Sequence, residues 1–405
     1  VCLYDENHIS IDGDTSITLS DDVKRRFEGY HWHVQHLGER ANDLDALTGA
    51  FAEARQMRDR PSLIVVRSHI AFGAPNKQDT AEAHGAPLGE DEVRATKKFY
   101  GWPEDASFLV PDRVRDHMGA AVENGKRAQQ EWRDMLDAYR KVHAEDAAAF
   151  EAAMAGTLPE GWDEGVPAPE AGKSIATRAT GGEVLNAIAA NVPWLMGGAA
   201  DLASSTKAII NTEADFGKGC YEGRNVRWGV REHVMCAASS GMALHGGIRP
   251  FASTFFIFTD YARPAIRLAA LMELPVVYVL SHDSIGLGED GPTHQPIEHL
   301  ASFRAMPHMC VLRPADASET LEAFRVALTR VRGPTMIILT RHKVPVIDRS
   351  VTAPAEQLEK GAYVLSWEQG DRPDVILMAS GSEVHLILEA QGRLREQGID
   401  ARIVS

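Results

Sequence analysis

Cysteine, positive charge and long apolar runs are all scarce in this sequence. Four cysteines occur in 405 residues, Cys2, Cys220, Cys236 and Cys310, and none share C-x-x-C spacing. That scatter excludes a disulfide framework and suits reduced thiols in a cytoplasmic setting. Lys and Arg total 42 against 57 Asp and Glu, a net charge of −15. The cationic footprint of a sequence-independent nucleic-acid binder is therefore absent. A few arginines in a cleft can still bind a phosphate, whatever the global sign. No run of 18 apolar residues exists; the best stretch, around 268–280, is interrupted by Glu273 and Pro275, so no helical membrane span is expected. Hydrophobic residues at 44% and charged residues at 24% exclude disorder as the main state. No signal-peptide pattern precedes the opening VCLYDEN. That end and the closing ARIVS both look cut, so a piece of a longer protein is expected.

What is present is a recurring run of β-branched residues bounded by turn formers: Val1–Tyr4, Ser62–Arg67, Pro275–Leu280, Pro334–Thr340 and Asp374–Met378. Helical patterns such as Asp43–Arg58 and Ala317–Val331 lie between them. Near-continuous apolar strands alternating with helices predict an α/β fold with doubly wound parallel sheets. From about Gly119 to Met154 the pattern becomes one long amphipathic helix, with Trp132, Met135, Leu136 and Tyr139 on one face. The Gly-, Pro- and acid-rich stretch 156–172 reads as an exposed linker. The length suits two or three domains. Four stretches are expected: α/β to 118, helix and linker over 119–174, a complete α/β domain over 175–345, and the start of another over 355–405.

The densest chemistry lies in HDSIGLGEDGPTHQP, residues 282–296, directly after the apolar strand PVVYVLS. Loops beyond the carboxyl ends of parallel strands form ligand sites. This one carries three glycines, two histidines and three carboxylates. Glycine lets backbone approach a ligand, while His and Asp supply hydrogen bonds and proton transfer. The plain alternative is a flexible loop of solvated charges. Glu232 opens an apolar helix in RWGVREHVMCAASSGMAL, and an acid so placed suits sharing a proton with a ring nitrogen; the plain alternative is an Arg231–Glu232 ion pair. Phe255, Phe258 and Tyr261 recur at i, i+3 and i+6 as one helical stripe, which by itself reads as core packing. YHWHVQH holds His31, His33 and His36, but a strand alternates their faces, so no metal site is expected there. SGSEV at 380–384 could pass for an anion loop and is read as structural.

The loop GLGEDGPTHQP, with HGAPLG at 84–89 and YDENHISIDG at 4–13, closely resembles transketolase, colinearly from end to end. The resemblance implies a thiamine diphosphate-binding fold with three α/β domains, of which this chain holds the later part of the diphosphate-binding domain, the pyrimidine-binding domain and the start of the C-terminal one. It implies ketol transfer between sugar phosphates in the pentose phosphate pathway, with dihydroxyacetone synthase and deoxyxylulose-phosphate synthase as alternatives. It implies Mg²⁺ or Ca²⁺ and a homodimer with sites between subunits. A split transketolase subunit without activity of its own is the alternative of another class, because the family's Gly-Asp-Gly metal motif does not occur before Asn7. Residue by residue, it makes Asn7 (side-chain oxygen) and Ile9 (carbonyl) the metal ligands. His8 stands where many relatives have Gly. Glu232 becomes the cofactor-activating acid, Phe255 and Phe258, with Tyr261, the pyrimidine contacts, and Asp201 an acid near the cofactor at the interface. Arg178, Ser205, His282 and Arg341 become the phosphate clamp. Asp290 would accept the hydroxyl next to the reacting carbonyl, His294 would contact the ketol oxygens, and His84 would act as base or donor.

Overall fold

The β-branched runs become parallel strands, each shifted from its expected bounds by one or two residues. The computed structural model describes all 405 residues and divides into two units, Val1–Ala128 and Gln129–Ser405. In the first unit a three-stranded parallel sheet has the order β1 (Cys2–Asp5), β3 (Ser62–Val66), β2 (His33–His36). Helix α1 (Val23–Gly29) lies against β2 and α2 (Leu44–Gln56) against β3, and α3 (Glu90–Phe99) follows later in the unit. The central strand β3 is buried throughout, and Ile64 and Val66 pack on Ala50 and Ala54 of α2. Asp22 and Asp43 cap α1 and α2 by accepting backbone N–H bonds, which satisfies orphan donors at each start.

The expected helix over Gly119–Met154 is two helices, α4 (Asp112–Val142) and α5 (Ala144–Ala155), broken at His143 with φ −129° and ψ 62°. Arg140 bridges the break by reaching Glu151. The face of Trp132, Met135, Leu136 and Tyr139 forms as a helix, but no residue of α4 is buried, so it is a surface stripe. The division between units also falls inside α4, at Ala128/Gln129. The stretch 156–172 is less exposed than expected: Leu158, Trp162 and Val166 pack against the core of the second unit, and Asp163 pairs with Arg325 at 2.8 Å.

The second unit is built on five parallel strands in the order β7 (Cys310–Leu312), β8 (Thr335–Leu339), β6 (Val277–Ser281), β5 (Arg249–Phe255), β4 (Leu195–Ala199). Side chains alternate faces along a strand, so Val277 and Val279 face one core and Tyr278 and Leu280 the other. The first core is completed by α6 (Thr177–Asn191) and α11 (Ala317–Thr329). The second is completed by α8 (Glu232–His245) and α9 (Thr259–Leu271). This is a doubly wound sheet. The short helices α7 (Ala203–Thr206) and α10 (His299–Arg304) follow strand ends on its rim. A small sheet closes the chain in the order β9 (Val364–Ser366), β11 (Ala401–Val404), β10 (Val375–Met378), flanked by α12 (Glu383–Glu396). No helix is long and apolar enough to cross a membrane.

Candidate active site

Carboxyl ends of four of the five parallel strands, β4, β5, β6 and β8, deliver most of the sequence-selected residues of the second unit. Gly197 and Gly198 make the first arrangement possible. A Cβ at Gly197 would fall 1.9 Å from the Phe251 carbonyl, and one at Gly198 would fall 2.0 Å from that of Val226. With no side chains there, the segment Arg224–Val226 lies against β4, Val226 N–H donating to Gly197 O at 2.7 Å. Buried Asn225 fastens that segment, bonding both backbone groups of Ile210 at 2.9 Å. The segment then leads into Glu232, the first residue of α8 and only 9% exposed. Arg231 does not pair with it; its guanidinium donates to the Trp228 carbonyl at 3.0 Å. The Glu232 carboxylate accepts no hydrogen bond from within the chain. The helix that it opens is only half buried, with Val234 and Leu244 exposed.

Phe255, Phe258 and Tyr261 are not one helical stripe. Phe255 ends β5, Phe258 lies in a 3₁₀ turn over Phe256–Phe258, and Tyr261 lies in α9. The three-residue spacing matched a strand-to-helix turn as well as it matched a helix. Phe255 and Phe258 still lie nearly parallel, 12° apart with centroids at 5.8 Å. His282 stacks on Phe255 at 3.6 Å, and His294 meets both phenylalanines edge-on at 5.9 and 5.3 Å. Tyr261 lies 6.2 Å from Phe258 and is largely exposed.

The polar residues form a second, adjoining cluster. His282 is 1% exposed and takes φ 63°, a left-handed conformation rare for a residue with a side chain. Its Nε2 lies 3.6 Å from an Asp290 carboxylate oxygen, and the same oxygen lies 3.6 Å from Arg341 Nε. Arg341 also donates to the Leu287 carbonyl at 2.9 Å and to Glu289 at 2.7 Å. Arg178 donates to both the backbone and hydroxyl oxygens of Ser205 at 3.0 Å. Burial, then the nearby Arg178, push the His282 imidazole down to about 4, so it is neutral near pH 7. Burial and the neighbouring Arg341 lower Arg178, which stays a cation. Such a cluster can hydrogen-bond hydroxyls and hold a phosphate, and the aromatic cluster beside it can hold a flat ring.

Asp201 sits just beyond β4 in the left-handed region, φ 59°, and is exposed. Asn7, Ile9 and His84 belong to the first unit. Asn7 Oδ1 accepts the Ile9 N–H at 2.9 Å, keeping one lone pair for another partner. His8 between them has φ 63°, the conformation that favours glycine. His84 is exposed and follows the turn Ala81–Ala83. Arg67, missed in the sequence, donates to the Asn7 carbonyl at 2.9 Å. His69, also missed, lies between Asp79 at 2.7 Å and Glu39 at 3.0 Å; the Asp79 hydrogen bond raises its pKa. His33 and His36 are spent on carboxylates, Glu53 at 3.1 Å and Glu6 at 3.5 Å. Buried His299 is bracketed by Asp260 at Nε2 and Glu298 at Nδ1.

The family pattern described as the transketolase thiamine diphosphate-binding domain matches residues 1–159. That for the transketolase pyrimidine-binding domain matches 173–346, and that for the transketolase-like C-terminal domain matches 361–405. The chain belongs to the transketolase family. A transketolase of Bacillus subtilis is 48% identical over 406 residues, which cover 100% of this chain and 61% of that protein. The chain therefore spans about three-fifths of the length of that relative. The structure of a Leishmania mexicana transketolase superposes with TM-score 0.94 at 38% identity, covering 100% of this chain and 59% of that one. A Pichia stipitis transketolase solved with sedoheptulose 7-phosphate gives TM-score 0.94, 38% identity, and coverage of 100% and 60%. The transketolase fold predicted from the motifs is thus present, including the start of the C-terminal domain.

Proposed function

We propose that this chain supplies the pyrimidine-facing and sugar-phosphate-binding parts of a transketolase. Such an enzyme moves a two-carbon ketol unit from a ketose phosphate such as xylulose 5-phosphate to an aldose phosphate such as ribose 5-phosphate or erythrose 4-phosphate. The observation that carries this reading is the adjacency of two clusters at the strand ends: Arg178, Ser205, His282, Asp290 and Arg341 beside Phe255, Phe258 and His294. The Pichia stipitis relative, solved with sedoheptulose 7-phosphate, supports a sugar phosphate as the ligand.

Thiamine diphosphate fits the residues present. Glu232 is a buried acid whose carboxylate has no partner within the chain, and Phe255 and Phe258 offer near-parallel rings. When bound, the cofactor supplies the nucleophilic carbon and electron sink needed to break and remake a carbon–carbon bond. Glu232 would hold a proton against the pyrimidine nitrogen, and the phenylalanines, with Tyr261 beside them, would fix the ring. Asn7 and Ile9 would each give an oxygen to Mg²⁺ or Ca²⁺, leaving most of the shell to the diphosphate and other donors. Arg178, Ser205, His282 and Arg341 would hold the substrate phosphate. Asp290 would accept the hydroxyl beside the reacting carbonyl and His294 would contact the ketol oxygens; His84, in the first unit, would act as a base or hydrogen-bond donor.

A second transketolase subunit would cover Glu232 and Asp201, either another copy of the chain or a complementary subunit. Exposed apolar residues on α8 and α9 support this: Val230 just before α8, then Val234, Leu244, Leu268 and Leu271. The four unpaired cysteines support a cytoplasmic setting. The test is to supply the whole protein with xylulose 5-phosphate and ribose 5-phosphate and identify products by mass spectrometry. Sedoheptulose 7-phosphate is expected; dihydroxyacetone formed only with formaldehyde would transfer the assignment to dihydroxyacetone synthase.

A further inference from the structure

Three of the substrate-cluster residues have a chain neighbour in a single buried hydrogen-bond network. Asp283 follows His282, Thr340 precedes Arg341, and Thr177 precedes Arg178. Asp283 Oδ2 accepts the Thr340 hydroxyl at 2.9 Å. The Thr340 N–H donates to the Thr177 hydroxyl at 2.7 Å, and the Thr340 carbonyl accepts the Arg178 N–H at 3.3 Å. Asp283 also takes a two-pronged contact from Arg313, Nε at 2.9 Å and Nη2 at 2.6 Å. The side chains of Arg313 and Asp283 are 7% and 1% exposed. Both guanidinium nitrogens and the Thr340 hydroxyl converge on this one buried oxygen, while Asp283 Oδ1 is buried without a partner, so Asp283 is held through Oδ2 alone.

Arg313 carries the network out to the C-terminal segment. Its Nη1 donates to the Ser380 carbonyl at 2.8 Å and to the Glu383 carboxylate. Its own carbonyl accepts the Gly381 N–H at 2.9 Å. Gly381 has φ 65°, and a Cβ there would fall 2.6 Å from Arg313 Nε. The SGSEV turn is therefore shaped around the guanidinium. In the second unit, the left-handed backbone of His282 is a strained conformation that persists only where its surroundings over-determine it.

We propose that Arg313 and Asp283 are positioning residues, through which the SGSEV turn and α12 set the geometry of His282, Arg341 and Arg178 toward the sugar phosphate. The inference rests on the substrate role proposed above for those three residues. It gives the C-terminal segment a part in substrate affinity without touching the substrate.

The experiment uses the whole protein, with ribose 5-phosphate affinity by calorimetry, hydrogen–deuterium exchange and melting temperature measured together. Glu383→Gln keeps the shape of a half-exposed side chain and removes its charge; it should weaken ribose 5-phosphate binding roughly three- to tenfold with little change in melting temperature. Arg313→Lys keeps charge but cannot fork on Asp283, and should weaken binding more than about tenfold. Both should raise amide exchange at residues 282–284 and 340–342. In an Arg341→Ala background the Glu383→Gln effect should shrink, since part of what it positions is gone. Unchanged affinity and unchanged exchange, with only a lowered melting temperature, would overturn the proposal. Failure of the unmodified protein to bind ribose 5-phosphate would instead refute the substrate reading, and the exchange data would still decide the positioning role.

Discussion

Burial of His282 has a consequence for stability against pH that can be worked from the structure. The imidazole is 1% exposed, and burial, then Arg178, lower its pKa from 6.5 to about 4. The unfolded chain therefore binds a proton on this side chain at a pH where the folded chain does not. Below the unfolded value protonation favours the unfolded state, so stability falls as pH drops from 6.5 toward 4 and levels off beneath it. At 1.36 kcal/mol per unit, the loss between about pH 7 and about pH 4.5 comes to about 2 kcal/mol. Urea denaturation of the unmodified chain and of His282→Asn, across that range, separates this contribution from other acid effects. The stability of the unmodified chain relative to the variant should fall by about 2 kcal/mol between about pH 7 and about pH 4.5. Curves that stay parallel would refute the reasoning, as would an NMR titration placing the His282 midpoint near its ordinary value.

Other expectations concern packing. Gly198→Ala drives a Cβ into the Val226 carbonyl; thermal melts should show a loss of about 3 kcal/mol or more, with Glu232 displaced. Arg249 is buried and donates to the carbonyls of Ala327, Leu328 and Arg330 at the end of α11. Arg249→Met should cost about 2–4 kcal/mol in denaturant unfolding, because the arginine's space is filled but three acceptors lose their donor. His8→Gly should stabilise the first unit by about 1 kcal/mol in the same assay, since His8 sits at φ 63°. Burial pushes the Cys236 thiol up to about 12, while Cys2 is exposed. At mildly alkaline pH a thiol reagent should therefore label Cys2 quickly and Cys236 only on unfolding.

Strands such as Ser62–Val66, Val277–Ser281 and Thr335–Leu339 were legible because β-branched runs between turn formers have few other uses, whereas Leu195–Ala199, Arg249–Phe255 and Cys310–Leu312, which hold Gly, Pro, Ser or Cys, were not. The spacing of the aromatic residues was misread. Phe255, Phe258 and Tyr261 share a helical interval, but β5 ends at Phe255 and α9 starts only at Thr259, and periodicity has no means of seeing a strand turn into a helix within four residues. The long helix was read as continuous because nothing in the local composition marks the break at His143. Arg313 and Asp283 were missed because their pairing joins positions 30 residues apart and extends to Glu383. The available signal was positional: each follows the end of a parallel strand, as the selected residues do. The same holds for His69, whose partner Glu39 lies on another loop, while Asp79 comes ten residues later on the same loop.

The central claim is that Glu232 serves the chemistry while the strand-end cluster binds the sugar phosphate, and a single substitution tests both halves. In the whole protein, Glu232→Ala should lower ketol transfer from xylulose 5-phosphate to ribose 5-phosphate by roughly 10²- to 10⁴-fold. Ribose 5-phosphate affinity by calorimetry should stay within about twofold, because no cluster residue depends on that carboxylate. Full transfer activity in the variant would contradict the account.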